Sequence, residues 1–547
     1  MPISPPSPPS SPPPSPPPSA PSPTPAAGSP FTRAWHAARS NLQLTVSAGV
    51  IALIVLWGLA SPATLGTFFG TLLASITRNF GWLYLWVVLG LVGLALFLAL
   101  SRYGDLKLGD EDEEPEFSTA TWFAMLFAAG MGIGLVFWGV AEPVSHYGLP
   151  PPGVAAQTPE AAGAAMRYAF FHWGLHPWAI YGVVGLAIAF FQFRRQAPAL
   201  VSSATESLPW RGMRHLSPLV NVLAVVATAF GVAASLGMGA AQINGGLQAV
   251  FGIPVGPWPQ AAIIVVTTAM FITSAVSGVD RGIKWLSSAN LLLAALLALA
   301  VFLIGPTVSL VNTFTNTLGA YLSEFVRTSL RMSPFRDSSW VGDWTIFYWS
   351  WWIAWSPFVG LFIARVSRGR TIREFVLGTV IAPSLVGFMW FSIFGGTALH
   401  LEIFQQVPLS AAAQADPATA MFAMFSAMPL GMAMSIVATV LVVVFFVTSG
   451  DSATLVLGTM STRGDPDPSA RVKIAWGLLV AGIALSLLFA GGLQAVQTAT
   501  IVFALPFALV LVLMAVALLR AVREDHEAER LRERALRRRM REMVMRE

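Results

Sequence analysis

Trp344-Thr345-Ile346-Phe347-Tyr348-Trp349-Ser350-Trp351-Trp352-Ile353-Ala354-Trp355-Ser356-Pro357-Phe358 sets five tryptophans within twelve residues. The run is apolar, uncharged and of helical length. Tryptophan ordinarily gathers at the two membrane–water interfaces, and five in one segment exceed what an interfacial belt needs. Trp351, Trp352 and Trp355 stand at i, i+1 and i+4, so two of them share a helix face. Pro357 weakens the backbone hydrogen bonding of the same helix.

The surrounding sequence makes this a membrane helix. Of 547 residues, 55% are hydrophobic and 11% charged, where a soluble domain carries about 25% charged residues. The chain has no cysteine, which excludes disulfides and thiolate metal sites. Twelve apolar segments can each span a hydrocarbon core of roughly 30 Å. They are 42–60, 82–100, 119–140, 168–193, 218–250, 260–277, 285–305, 344–366, 374–398, 431–458, 473–490 and 498–520. The fifth and tenth are long enough to imply tilt or a break. Residues 311–332 are amphipathic, with Phe314, Leu318, Leu322, Phe325 and Val326 at helical spacing. That pattern predicts a helix on the membrane surface or on the bundle.

The ends are of different material. Residues 1–30 hold 15 of the 39 prolines and read as a disordered, Pro-rich tail, not a secretory signal. The apolar, membrane-spanning body runs over 31–520, and 521–547 reads as a basic helix. Residues 530–541 hold seven arginines and one glutamate, a composition that attracts anionic lipid. With the N-terminus in the cytoplasm, 27 of the 32 Lys and Arg fall on the cytoplasmic side. Both termini are therefore expected there.

Three segments break the rules of a plain spanning helix. Ala128-Ala129-Gly130-Met131-Gly132-Ile133-Gly134 spaces three glycines at every second position. Weakened backbone at membrane depth is tolerated where it is buried in protein or lines a cavity, although small residues also serve close helix packing. Trp173, Trp178 and Tyr181 crowd the fourth segment, and Trp178 and Tyr181 can face one cavity. Aromatic cages bind quaternary ammonium groups by cation–π attraction, worth about 2 kcal/mol or more once desolvated. The tenth segment carries Phe445-Phe446-Val447-Thr448-Ser449-Gly450-Asp451. Its hydroxyls can ligate a small hard cation or simply bond to their own helix. Asp451 reads as the only acid near a segment centre, suited to a gate or a helix cap.

Taken together, GMGIGLVFWGVAEPVSHY (130–147), FHWGLHPWAIY (171–181), the 344–375 stretch and FVTSGDSAT (446–454) resemble the betaine/choline/carnitine transporter family over about 42–520. The resemblance implies an all-α membrane protein with 12 transmembrane helices. It implies a LeuT-like five-plus-five inverted repeat, helices 3–7 repeated as 8–12 behind two extra helices. It further implies a homotrimer in the bacterial inner membrane that imports glycine betaine or a related zwitterion by alternating access, with sodium as the coupling ion and no other cofactor.

By motif, Trp173, Trp178, Tyr181, Trp351, Trp352 and Trp355 match the family's substrate cage, with Gly130, Met131 and Gly132 beside it. Trp344 and Phe358 match aromatic positions lining the path to the cytoplasm. Ala128, Met131, Phe445, Thr448 and Ser449 match a sodium site. Thr228 matches half of a second one, whose partner position is Val232 and offers no oxygen. No acid lies in Ala128–Val136, which favours a zwitterion over a bare cation. Basic tails in this family resemble osmosensors.

The alternatives within the family are a carnitine or choline carrier and proton coupling. A channel needs a filter of charges or carbonyls, which the sequence does not display. A membrane enzyme needs a catalytic or metal constellation, and His146, His172 and His176 read as scattered. No nucleic-acid partner is expected.

Overall fold

The computed structural model describes residues 42–130, 132–277, 280–335 and 338–545, with the side chains of 127–130 and 280–285 outside that set. The Pro-rich 1–30 stretch and Met131 lie outside the described residues. Among the described residues the chain is helical and has no strand beyond one isolated bridge, Lys107 with Thr371.

α1 (Leu42–Ala60) ends at Ser61, and α2 (Pro62–Leu100) starts with proline in its first turn, where the missing N–H costs nothing. α2 has 39 residues, roughly 58 Å at helical rise, and so outruns the apolar 82–100. Arg78 and Asn79 interrupt the hydropathy but not the helix, because Asn79 Nδ2 donates to the Ser75 carbonyl one turn back at 2.9 Å.

α3 (Thr119–Gly130) and α4 (Ile133–Gly148) divide the third apolar segment. Gly132, between them, is extended at φ −135° and ψ −165°. α5 (Pro159–Trp173) and α6 (Leu175–Ala189) divide the fourth at Gly174, whose φ of −95° and ψ of −132° end the helical hydrogen bonding. The sequence reading placed no break here. Short α7 (Val201–Glu206) leads to α8 (Met213–Phe251), α9 (Pro257–Ser277) and α10 (Asp280–Ile304).

α11 (Thr307–Ser323) and α12 (Phe325–Ser329) cover the amphipathic stretch. Leu310, Thr317, Tyr321, Thr328 and Ser329 are the buried side chains of the two helices, and Phe314, Leu318 and Phe325 pack partly against the core. Leu322 and Val326 are exposed. α13 (Phe347–Arg365) passes through Pro357 without interruption. α14 (Ile372–Gln405) opens on a capping box, in which Glu374 N–H donates to Thr371 Oγ1 and Thr371 N–H to Glu374 Oε2, satisfying two otherwise unpaired donors. Short α15 (Leu409–Ala415) and α16 (Ala420–Ser426) precede α17 (Gly431–Ser461). α18 (Ala470–Val544) is interrupted at Gly491 and Gly492. Gly492 adopts φ 64°, a left-handed value that glycine tolerates best.

Ten helices of the described residues are long and apolar enough to cross a membrane. The twelve apolar segments map onto fewer long helices for two reasons. α3 and α4 are each too short alone, and α18 carries both 473–490 and 498–520. The chain is an integral membrane protein. The apolar window of Pro159–Arg194 is 94% buried within the protein, against 17% for Leu286–Ile304. The peripheral helices turn Leu53, Leu56, Trp86, Val266, Leu292 and Leu303 outward, an apolar surface that suits lipid. α4, α5, α6, α8 and α13 are the most deeply buried helices.

Candidate substrate site

The aromatic residues converge where α5 breaks into α6 against α13. Trp173, the last residue of α5, lies edge-on to Trp352 at 4.8 Å between ring centroids and to Trp351 at 6.0 Å. Trp351 and Trp352 stack at 4.6 Å with their planes 16° apart. Tyr181 on α6 stands edge-on to Trp352 at 6.0 Å, and Trp178 edge-on to Tyr181 at 5.6 Å. All five are buried. Trp355 belongs to a different contact. It is half-buried and pairs with Phe358 at 4.8 Å, one turn along α13.

The break at Gly174 explains how the cage is held. The last carbonyls of a helix have no intrahelical partner, and Trp352 Nε1 donates to the His172 carbonyl at 3.0 Å. Gly134 allows the close approach. A Cβ there would collide with the Trp351 ring and stand 3.0 Å from the Trp173 ring. A Cβ on Gly132 would meet nothing within 4 Å. Gly134, rather than Gly132, thus lacks a side chain where one would strike the cage, and it is not among the residues that the resemblance assigned to the site. Two buried donors in the cage, the Tyr181 hydroxyl and the Trp351 indole N–H, have no hydrogen-bond partner among the described residues.

The centre also holds an acid that sequence reading missed. Glu142 is fully buried on α4. Its Oε2 accepts from Trp173 Nε1 at 2.8 Å and from the Tyr348 hydroxyl at 2.7 Å. Its Oε1 lies 2.6 Å from His172 Nδ1 and 3.2 Å from His146 Nε2. His172 Nε2 in turn meets Thr345 Oγ1 at 3.0 Å. His146 and His172 are therefore not scattered but gathered on one carboxylate. Asp451 is not the only acid inside a spanning segment either. Ala128–Val136 holds no acid, but Glu142, further along α4, stands one hydrogen bond from Trp173.

Glu142, His146 and His172 bring ligand atoms within 4.8 Å of one another, as metal-binding groups do. The other partners argue for a different role. An indole nitrogen can only donate, and Trp173 and Tyr348 already occupy one carboxylate oxygen. The cluster is a hydrogen-bonded hub that joins α4, α5 and α13. His176 stands apart from it, stacked on Trp349 at 5.2 Å and on Phe325 of α12 at 4.7 Å, with Nε2 2.8 Å from Ser329 Oγ.

The remaining candidates are dispersed. Trp344 packs edge-on against His146 at 4.3 Å and Trp138 at 5.5 Å. Fourteen residues separate it from Phe358, roughly 21 Å along a helix axis, so the two lie toward opposite ends of one helical segment. Thr448 Oγ1 donates to the Val444 carbonyl at 2.9 Å, one turn back on its own helix. Ser449 is half-buried beside it, and Phe445 is buried. The side chains of Ala128 and Met131 lie outside the described residues. The Thr228 hydroxyl is buried without a partner, and Val232 is buried. Asp451 accepts from Ser274 Oγ at 3.5 Å, which ties α17 to α9.

A polytopic helical bundle with a buried aromatic cluster at a helix break defines a membrane carrier, a class in which discontinuous helices mark the binding site. Residues 43–527 match the model of the betaine/carnitine/choline family transporter, BCCT, and the chain belongs to that family. It is a transporter, not an enzyme. It is 48% identical to the glycine betaine transporter OpuD of Bacillus subtilis, over 88% of this chain and 95% of the relative. It is 46% identical to the ectoine/hydroxyectoine transporter of Virgibacillus pantothenticus, over 87% and 95%. The glycine betaine transporter 1 of Vibrio parahaemolyticus is 41% identical over 91% and 97%.

Proposed function

We propose that this protein imports a zwitterionic trimethylammonium osmolyte, glycine betaine foremost, held among Trp173, Trp178, Tyr181, Trp351 and Trp352. The observation that carries the proposal is the buried set of stacked and edge-on rings at 4.6 to 6.0 Å. A trimethylammonium group donates no hydrogen bonds, and aromatic faces attract it. The unpartnered donors of Tyr181 and Trp351 suit the carboxylate of a zwitterion, since buried polar groups need partners. Relatives named for glycine betaine support the same substrate. A relative named for ectoine makes cyclic zwitterions the second reading.

Transport proceeds by alternating access over twelve spans. α3 and α4 together form the third, and α18 supplies the last two. Helices 3–7 and 8–12 are inverted repeats, and both termini are cytoplasmic. Sodium is the coupling ion, ligated by the Thr448 and Ser449 hydroxyls with carbonyls of Ala128, Met131 and Phe445. Thr228 without a partner oxygen at Val232 leaves one sodium site. The functional unit is a homotrimer, and the Arg-rich tail binds anionic lipid and responds to osmotic stress.

The test is uptake of labelled glycine betaine into proteoliposomes under an inward sodium gradient, a proton gradient or neither. Accumulation driven by sodium alone is expected. Accumulation driven by protons alone overturns the sodium assignment, and none under any gradient overturns the function.

A further inference from the structure

We propose that Glu142 is a positioning and specificity-determining residue of the substrate site. It orients the cage rings and supplies the negative charge that makes the cage attract cations. The inference rests on the cage reading above. Two observations carry it.

The first is geometric. Glu142 sits on α4, yet one of its oxygens holds the indole N–H of Trp173 from α5 and the hydroxyl of Tyr348 from α13. Tyr348 lies 5.7 Å from Trp173 and stacks at 6.0 Å on Trp352. A single carboxylate therefore fixes two rings that touch the cage from opposite helices.

The second is electrostatic. A buried carboxylate is costly unless its lone pairs are filled. Four side chains converge on Glu142, and each can donate: Trp173, Tyr348, His172 and His146. With His172 Nδ1 donating, its Nε2 is left to accept from Thr345 Oγ1, so the carboxylate's four contacts need no charged imidazole, and with both imidazoles neutral the hub carries the carboxylate's charge. The Trp173 ring links that charge to Trp351 and Trp352, both of which it meets edge-on. Hydrogen bonding of the indole N–H to an anion makes the ring face more negative, and cation–π attraction follows the ring's electrostatics.

Titration of purified protein by tryptophan fluorescence, with glycine betaine and with choline, tests this. Glu142→Gln keeps the shape and removes the charge. It should weaken glycine betaine about tenfold, roughly 1.4 kcal/mol, and choline more. A bare cation depends on the charge more than a zwitterion does, whereas a merely structural defect would weaken both alike. Tyr348→Phe removes one donor and keeps the ring and the acid. It should weaken glycine betaine about threefold even if the glutamine variant does not fold. Adding Glu142→Gln to Trp173→Phe should cost little beyond Trp173→Phe alone. Affinities of E142Q and Y348F within twofold of the unaltered protein overturn the inference while leaving the cage intact. An unaltered protein that binds neither compound overturns the cage reading itself.

Discussion

The indole N–H of Trp352 donates to the backbone carbonyl of His172 at 3.0 Å, across the break between α5 and α6. A side chain of the eighth apolar segment is thereby anchored by a backbone group freed in the fourth. Trp352→Ala should abolish glycine betaine binding while the protein still elutes as a folded species in size-exclusion chromatography. Trp352→Phe keeps a ring but loses the anchor, a bond worth about 1 kcal/mol, and should raise KM about fivefold. An alanine variant that binds normally would remove Trp352 from the site.

Gly134→Ala should be far more harmful than Gly90→Ala. A Cβ at Gly134 would strike the Trp351 ring, whereas one at Gly90 would meet nothing within 4 Å. Both positions are helical, so propensity alone favours alanine at each. Uptake by Gly134→Ala should fall more than tenfold at unchanged expression, and by Gly90→Ala by less than twofold.

These two positions show how legible the site was. The aromatic residues were readable because their chemistry is crowded into two short stretches, and the family followed from the same motifs. Glu142 was not readable. Hydropathy closes the third segment near residue 140, which puts Glu142 at a membrane edge, whereas α4 continues to Gly148. The histidines looked scattered because they meet only across helices. The break at Gly174 coincides with Gly174 and Pro177 in FHWGLHPW, residues that membrane helices also tolerate without breaking.

Thr448→Val should raise the sodium concentration needed for half-maximal uptake about tenfold or more and leave glycine betaine binding at saturating sodium nearly intact. The valine also removes the bond to the Val444 carbonyl, but that bond only closes a local turn. Unchanged sodium dependence in radiotracer uptake would dissociate Thr448 from the coupling ion.

The C-terminal extension of α18 is tied to the loop after α6. Arg194 pairs with Asp525 at 2.9 Å and with Glu529, and Arg195 pairs with Asp525 at 2.6 Å and Glu524 at 3.3 Å. Arg194→Ala combined with Arg195→Ala should speed tryptic cleavage within 530–541 roughly fivefold, equivalent to about 1 kcal/mol. Glu524 is held below its ordinary value of 4.5, chiefly by the hydrogen bond from Arg520, with Arg195 adding and burial opposing. A carboxyl lowered in the folded state contributes above its ordinary value and loses that contribution as pH falls through the lowered one. The Glu524 contacts should therefore hold from neutral pH to about pH 5 and weaken only in stronger acid. Deleting 523–547 removes these ties and should leave uptake intact while abolishing its activation by hyperosmotic stress.

The most direct measurement compares glycine betaine with tert-butylacetate, the same shape with carbon in place of the quaternary nitrogen, as competitors for labelled glycine betaine. If the rings around Trp352 recognise positive charge, the carbon analogue should bind about 30-fold more weakly, corresponding to about 2 kcal/mol of cation–π attraction. Equal competition by the two compounds would contradict the cage.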